Sequence, residues 1–140
     1  MNRRNRALLR AIAPLLLMGV IFYFSAQSSS GEHSWWEIVF RKLGHVTEYA
    51  LLTAAWWWTL RIVLRRPLPW AIGISLAYAC TDELHQTFVP GRTGTPVDVG
   101  VDAIGMAIAA LLISGRPLGP GRKDVDPGVG IPRSSPARSP

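Results

Sequence analysis

Six residues, His45, Glu48, Asp82, Glu83, His85 and Asp102, have side chains that can transfer protons or hold a metal ion, and they lie in or beside strongly apolar runs. An ionisable group inside a membrane segment is costly and faces other protein or a wet cavity rather than lipid. Imidazole nitrogens mixed with carboxylate oxygens suit Zn or Mn more than Ca. His45, Asp82, Glu83, His85 and Asp102 would supply the ligands of such an ion, with Glu48 as a general base acting on a phosphate or ester. The spacings His45-x-x-Glu48 and Glu83-x-His85 are weak patterns taken singly and match no known zinc signature.

The same region also carries groups for holding an anion. Arg92 and Lys42 are two of only three basic residues near these acids, Arg41 being the third. A guanidinium binds phosphate or carboxylate through paired hydrogen bonds. Gln86, Tyr49 and Ser28 would add neutral hydrogen bonds. Arg92 has a second reading, an ion pair to Asp82, Glu83 or Asp98 that ties down the turn Pro90-Gly91-Arg92-Thr93-Gly94. Asp98 has two as well. It belongs to the polar set, and it stands three residues after Thr95, with Pro96 between, in a helix-capping arrangement.

The elements that position these residues follow from the apolar pattern. The chain has 140 residues, 49% hydrophobic and 17% charged, whereas soluble domains average about 25% charged. Runs of about 20 apolar residues suffice to cross a bilayer. Four spans are expected, from about Ala7 to Ala26, Lys42 to Leu60, Leu68 to Phe88 and Val97 to Ser114. The first follows basic residues as a signal peptide would, but Phe24 stands where a cleavage site needs a small residue, so it reads as a retained helix. Ser34-Trp35-Trp36-Glu37 is a capping-box pattern that opens a short interfacial helix, Trp35 to Phe40, before span two. His33 and Glu37 read as solvated there. Trp56, Trp57 and Trp58 followed by Arg61 read as an aromatic belt. Cys80, the one cysteine, reads as a small packing residue. Six of the last 25 residues are Pro, so residues 116–140 are expected to form a disordered tail after a single membrane domain, 1–115.

Charge sets the expected orientation. Arg3, Arg4, Arg6, Arg10, Arg61, Arg65, Arg66 and the basic residues of the tail share one side, a split of 12 against the 3 of Arg41, Lys42 and Arg92. The positive-inside rule then places both termini in the cytoplasm. The net charge of +6 is spent on segment ends and is not arranged for nucleic acid. Seven of the nine acids fall on the outer side. Counted from the expected span ends, Glu48, Asp82 and Asp102 lie roughly 8–9 Å deep, which suggests one shared layer. Helical spacing aligns Lys42, His45, Tyr49 and Leu52 on span two, and Ser75, Tyr78, Asp82 and Gln86 on span three. Asp98, Asp102, Gly105 and Ala109 align on span four, where Gly105-x-x-x-Ala109 lets helices approach closely.

Three blocks together resemble the VanZ-like family of small bacterial membrane proteins. They are Phe24-Ser25-Ala26-Gln27-Ser28-Ser29; Lys42-x-x-His45-x-x-Glu48-Tyr49-x-x-Leu52; and Asp82-Glu83-x-His85-Gln86-x-Phe88-x-Pro90-Gly91-Arg92-x-Gly94-x-x-x-Asp98-Val99-x-x-Asp102-x-x-Gly105. The likeness covers about residues 23–112. Thr95 stands where the family often has Ser, and Asp102 where Asn is also common. The resemblance implies a compact helical membrane domain. It also implies a role at the cell envelope, because the family takes its name from a protein linked to teicoplanin resistance. It supplies no biochemical activity.

Two functional classes remain in view. One is an envelope protein that binds a lipid-linked or wall-precursor head group through Lys42, His45, Tyr49, Asp82, Glu83, Gln86, Arg92, Asp98 and Asp102. The other is a metal-dependent membrane hydrolase or transferase with a divalent metal and Glu48 as base. Seven acids against three bases disfavour an anion site without a cation. A transporter is a weaker reading, because the inner half offers little beyond Thr53, Thr59 and Ser75 to carry an ion. Membrane lipids are the expected surroundings.

Overall fold

A computed structural model describes residues 2–28 and 34–115. These residues form four helices and no strand: α1 (Arg3–Ser25), α2 (Trp35–Leu60), α3 (Pro67–Gln86) and α4 (Pro96–Ser114). The expected tail, with Glu32 and His33, lies outside the described residues. Two helices, α1 and α4, are long and apolar enough to cross a membrane. Their outer faces carry exposed Leu8, Ile12, Leu16, Ile104, Leu111 and Leu112. In α2 and α3 the ionisable residues, tryptophans and hydroxyls dilute the apolar content.

The separate interfacial helix is not found. Ser34 caps a single helix of 26 residues. Its N–H donates to Glu37 Oε2 at 3.1 Å, so the capping box is as the sequence suggests. No proline interrupts the path from Phe40 into span two, and the expected short helix becomes the first turns of α2. At about 1.5 Å per residue, α2 is roughly 39 Å long, several ångströms beyond a hydrocarbon core of about 30 Å.

The helices alternate in direction. Lys42 meets Asp98 and His45 meets Asp102, so α2 and α4 run parallel. Met18 meets Tyr78 and Phe22 meets His85, so α1 and α3 also run parallel. The pair α2 and α4 packs most intimately, while α1 leans on α2 and α3 only. Gly105 explains the intimacy. A Cβ there would overlap the carbonyl of Val46 and crowd the backbone of Ala50. Met106 and Ala109, flanking Gly105 on the same face, are buried with Ile21, Tyr49, Leu52 and Ala79 at the centre.

Polar bonds fasten α1 to the pair α2–α3. Pro14 is buried within α1 and has no N–H to give the carbonyl four residues back, that of Arg10. The Thr59 hydroxyl of α2 shares its one proton between the Arg10 oxygen, at 3.1 Å, and Ala55 O of its own helix, at 2.9 Å. Arg10 stacks over Trp58 at 4.1 Å and donates to the Trp58 carbonyl. Arg61 lies over Trp57 at 5.1 Å. The tryptophan cluster thus gathers the arginines at one end of the bundle. Tyr78 donates to Met18 O at 2.6 Å, joining α3 to α1. Cys80, expected to pack inside, is exposed on the outer side of α3.

The Pro14–Thr59 pairing gives a double-mutant test. Thr59→Val removes the donor to Arg10 and should cost about 1–2 kcal/mol in detergent unfolding. In a Pro14→Ala background the new N–H serves the same carbonyl, and the cost of Thr59→Val should fall by at least about half.

Candidate functional site

The site lies where the N-terminal halves of α2 and α4 meet the C-terminal end of α3. Stripe geometry puts Lys42, His45 and Tyr49 on the face of α2 that meets α4. Lys42 Nζ is 3.2 Å from Asp98 Oδ1, and His45 Nδ1 is 2.9 Å from Asp102 Oδ1. Asp98 joins the polar set through Lys42, and Thr95 caps α4 as expected, but the Asp98 carboxylate bonds the Thr95 hydroxyl while the Thr95 N–H goes to Glu83. Its N–H donates to the Thr95 hydroxyl oxygen, the cap, at 3.3 Å, and its Oδ2 accepts from that hydroxyl at 2.7 Å. A carboxylate in the first turn of α4 also faces the positive end of the helix dipole.

The end of α3 is bound to the start of α4 through Glu83. This buried carboxylate accepts from Thr95 N at 3.1 Å, and Gln86 bridges it to Asp82 at 3.4 and 3.1 Å. Gly94 makes the approach possible, because a Cβ there would overlap the Glu83 carbonyl. Gly91, at φ 76°, supplies the left-handed residue of the turn between the helices.

Two cavities share this wall. The larger, about 630 Å³, is lined by Arg41, Lys42, His45, Glu83, Gln86 and Arg92, with Thr93, Thr95 and Asp98 at its α4 side. The smaller, about 200 Å³, is lined by Ser25, Arg41, His45, Glu48, Asp82 and Arg92. His45 and the two arginines stand between them. Glu48, Asp82 and Asp102 therefore do converge, two on the smaller cavity and the third through His45. Equal depth is not the reason. With α2 starting at Trp35, Glu48 lies between three and four turns into its helix, deeper than Asp102 in α4. The parallel register of α2 and α4 brings them level.

Arg92 departs from the expected ion pair. It makes no ion pair to Asp82, Glu83 or Asp98 among the described residues. Its Nε donates to Gln27 O and its Nη2 to Phe24 O, each at 2.8 Å. It thereby pairs the Gln27 carbonyl beyond the end of α1 and adds a second donor to Phe24 O, which also accepts from Gln27 N at 3.3 Å. Partial burial, together with the neighbouring Arg41 guanidinium, draws Arg92 below its usual pKa, while Asp82, Glu83 and Glu48 pull the other way. A guanidinium remains charged through such a shift. Arg92 also lines both cavities, so the turn, α1 and the cavity walls meet at one side chain.

Tyr49 is wholly buried and lies in the core rather than on a cavity, its ring stacked on His45 at 6.4 Å. His85 turns toward α1 and packs on Phe22, with ring centroids 4.5 Å apart. Of the five expected metal ligands, the structure brings His45, Glu83 and Asp102 together, with donor atoms within 4.8 Å of one another. Asp82 faces the smaller cavity instead. Arg41 is the residue that sequence reasoning did not assign to the site. Its signal was the spacing Arg41, His45, Glu48, which places all three on one face of α2.

Compared with known proteins, residues 10–116 match the family model described as VanZ/LLP1. No curated protein and no solved structure matches the chain.

Two outcomes test this geometry. Arg92→Lys cannot span the Gln27 and Phe24 carbonyls with a fork, so amide exchange over residues 24–28 should accelerate nearly as much as in Arg92→Ala. The His45–Asp102 bond should give a coupling of about 1.5–3 kcal/mol in a double-mutant cycle of unfolding.

Proposed function

The chain belongs to the VanZ/LLP1 family, and on that premise we propose that it is a multi-pass protein of the bacterial cell membrane whose larger cavity binds the anionic head group of a lipid-linked or wall-precursor molecule. The observation that carries the reading is the cavity's composition. Arg41, Lys42 and Arg92 line one mouth of about 630 Å³ together with Gln86, Thr93 and Thr95, which offer neutral hydrogen bonds. Cationic side chains grouped with hydroxyl and amide groups suit a phosphate or a pyrophosphate.

The membrane arrangement belongs to the same proposal. All four helices cross, with both termini in the cytoplasm. Among the described residues, Arg3, Arg4, Arg6, Arg10, Arg61, Arg65 and Arg66 sit at one end of the bundle and Arg41, Lys42 and Arg92 at the other, the asymmetry that the positive-inside rule reads as orientation. The cavity then opens at the outer leaflet, where a head group linked to an acyl or prenyl chain would reach it sideways. A hold on a wall precursor would also connect this chain with the teicoplanin link of the family's namesake.

The acids have a part in this account. Asp98 positions Lys42, and the bonds of Glu83 hold the floor of the cavity in place. A polyprenyl phosphate is the most direct probe. Native mass spectrometry of the chain in detergent should show one such lipid retained in preference to a neutral prenol. Arg41→Gln with Lys42→Gln should weaken retention by about 1.5–3 kcal/mol per lost charged bond, that is, at least about tenfold. Equal retention of phosphate and prenol by both proteins would refute the proposal.

A further inference from the structure

His45, Glu83 and Asp102 come from three different helices, α2, α3 and α4, and each offers a ligand atom within 4.8 Å of the other two. Their burial increases inward. His45 lines the larger cavity with Glu83, and Asp102 lies behind His45 with no exposed surface. Asp102 has one oxygen on His45 Nδ1, while its other oxygen, Oδ2, is buried with no hydrogen-bond partner. A buried carboxylate oxygen without a donor is expensive to maintain. A cation is the partner such an oxygen lacks.

The surroundings also resemble those of metal ligands. Glu83 is oriented by Thr95 N–H and the Gln86 amide, one on each oxygen, and each oxygen retains a second lone pair. Hydrogen bonds of this kind fix ligating carboxylates in place. Five carboxylates, Glu48, Asp82, Glu83, Asp98 and Asp102, crowd a region whose basic members stand mainly at the mouth. A dication at the inner end would offset that excess.

We propose that His45, Glu83 and Asp102 hold one divalent transition-metal ion, Zn²⁺ or Mn²⁺, at the inner end of the larger cavity. One imidazole with two carboxylates selects these ions over Ca²⁺, which prefers oxygen alone. His85 is not part of the set, since its ring faces Phe22. The site does not depend on the head-group reading, because the metal alone is the probe.

The test uses the full chain, purified in detergent, stripped with chelator and titrated with Mn²⁺. One equivalent should lose the six-line resonance of free Mn²⁺, pulsed resonance should show nitrogen coupling from one imidazole, and Zn²⁺ should displace the ion. His45→Gln should abolish the nitrogen coupling. Glu83→Gln and Asp102→Asn, which keep shape but remove the charge and turn one acceptor oxygen into a donor, should each weaken binding by at least about tenfold. His85→Gln should bind as the parent does. Circular dichroism and elution volume identify any variant that fails to fold, and Glu83→Gln then stands in for it. The proposal is overturned if neither ion binds at millimolar concentration, if bound Mn²⁺ shows no nitrogen coupling, or if folded Glu83→Gln binds unchanged.

Discussion

The close approach of α2 and α4 at Gly105 governs this molecule. With no side chain at that position, the backbone of α4 rests against the Val46 carbonyl and Ala50 of α2. In lipid, helices gain little from excluding water and associate through close packing and polar contacts, so such a point is worth more than a large apolar side chain would be. Once it is set, helical geometry determines what else can touch. One turn toward the N-termini, His45 falls opposite Asp102; another turn on, Lys42 falls opposite Asp98. A larger residue at position 105 would separate the helices and lengthen both bonds together.

The polar layer is held from the other side by α3 and α1. Glu83 binds the first backbone N–H before α4, and Gly94 lets that strand of chain lie directly on the end of α3. Arg92 then reaches from the same turn to the last carbonyls of α1. Each contact uses backbone groups at a helix end. The bundle therefore closes at its charged end by joining helix termini to one another. At the opposite end the same logic recurs with Pro14, whose missing N–H is answered by Thr59.

Much of this was legible in the sequence because it is periodic. The stripe Lys42, His45, Tyr49, Leu52 and the stripe Asp98, Asp102, Gly105, Ala109 do face each other, and the family resemblance followed from the same residues. Their pairing partners were less legible. Arg92 reads as an ion-pair partner for the acids, yet its bonds go to carbonyls, which carry no signature in side-chain types. Glu48 appeared level with Asp82 and Asp102 only by counting from an assumed start of span two, whereas α2 begins at Trp35. Arg41 went unassigned because an arginine at a segment end reads as a membrane anchor. Cys80 looked internal because an apolar run does not say which face is turned outward.

The central claim is that parallel α2 and α4 carry the polar residues to one sheltered place at one end of the bundle. Paired cysteines measure it directly in membranes, on a Cys80→Ser background. Lys42→Cys with Asp98→Cys should be joined in high yield by a short bifunctional thiol reagent that crosses the bilayer. Lys42→Cys with Leu112→Cys should not react. Joining of the second pair, or of neither, would mean that the two helices are not in this register and that no common cavity exists.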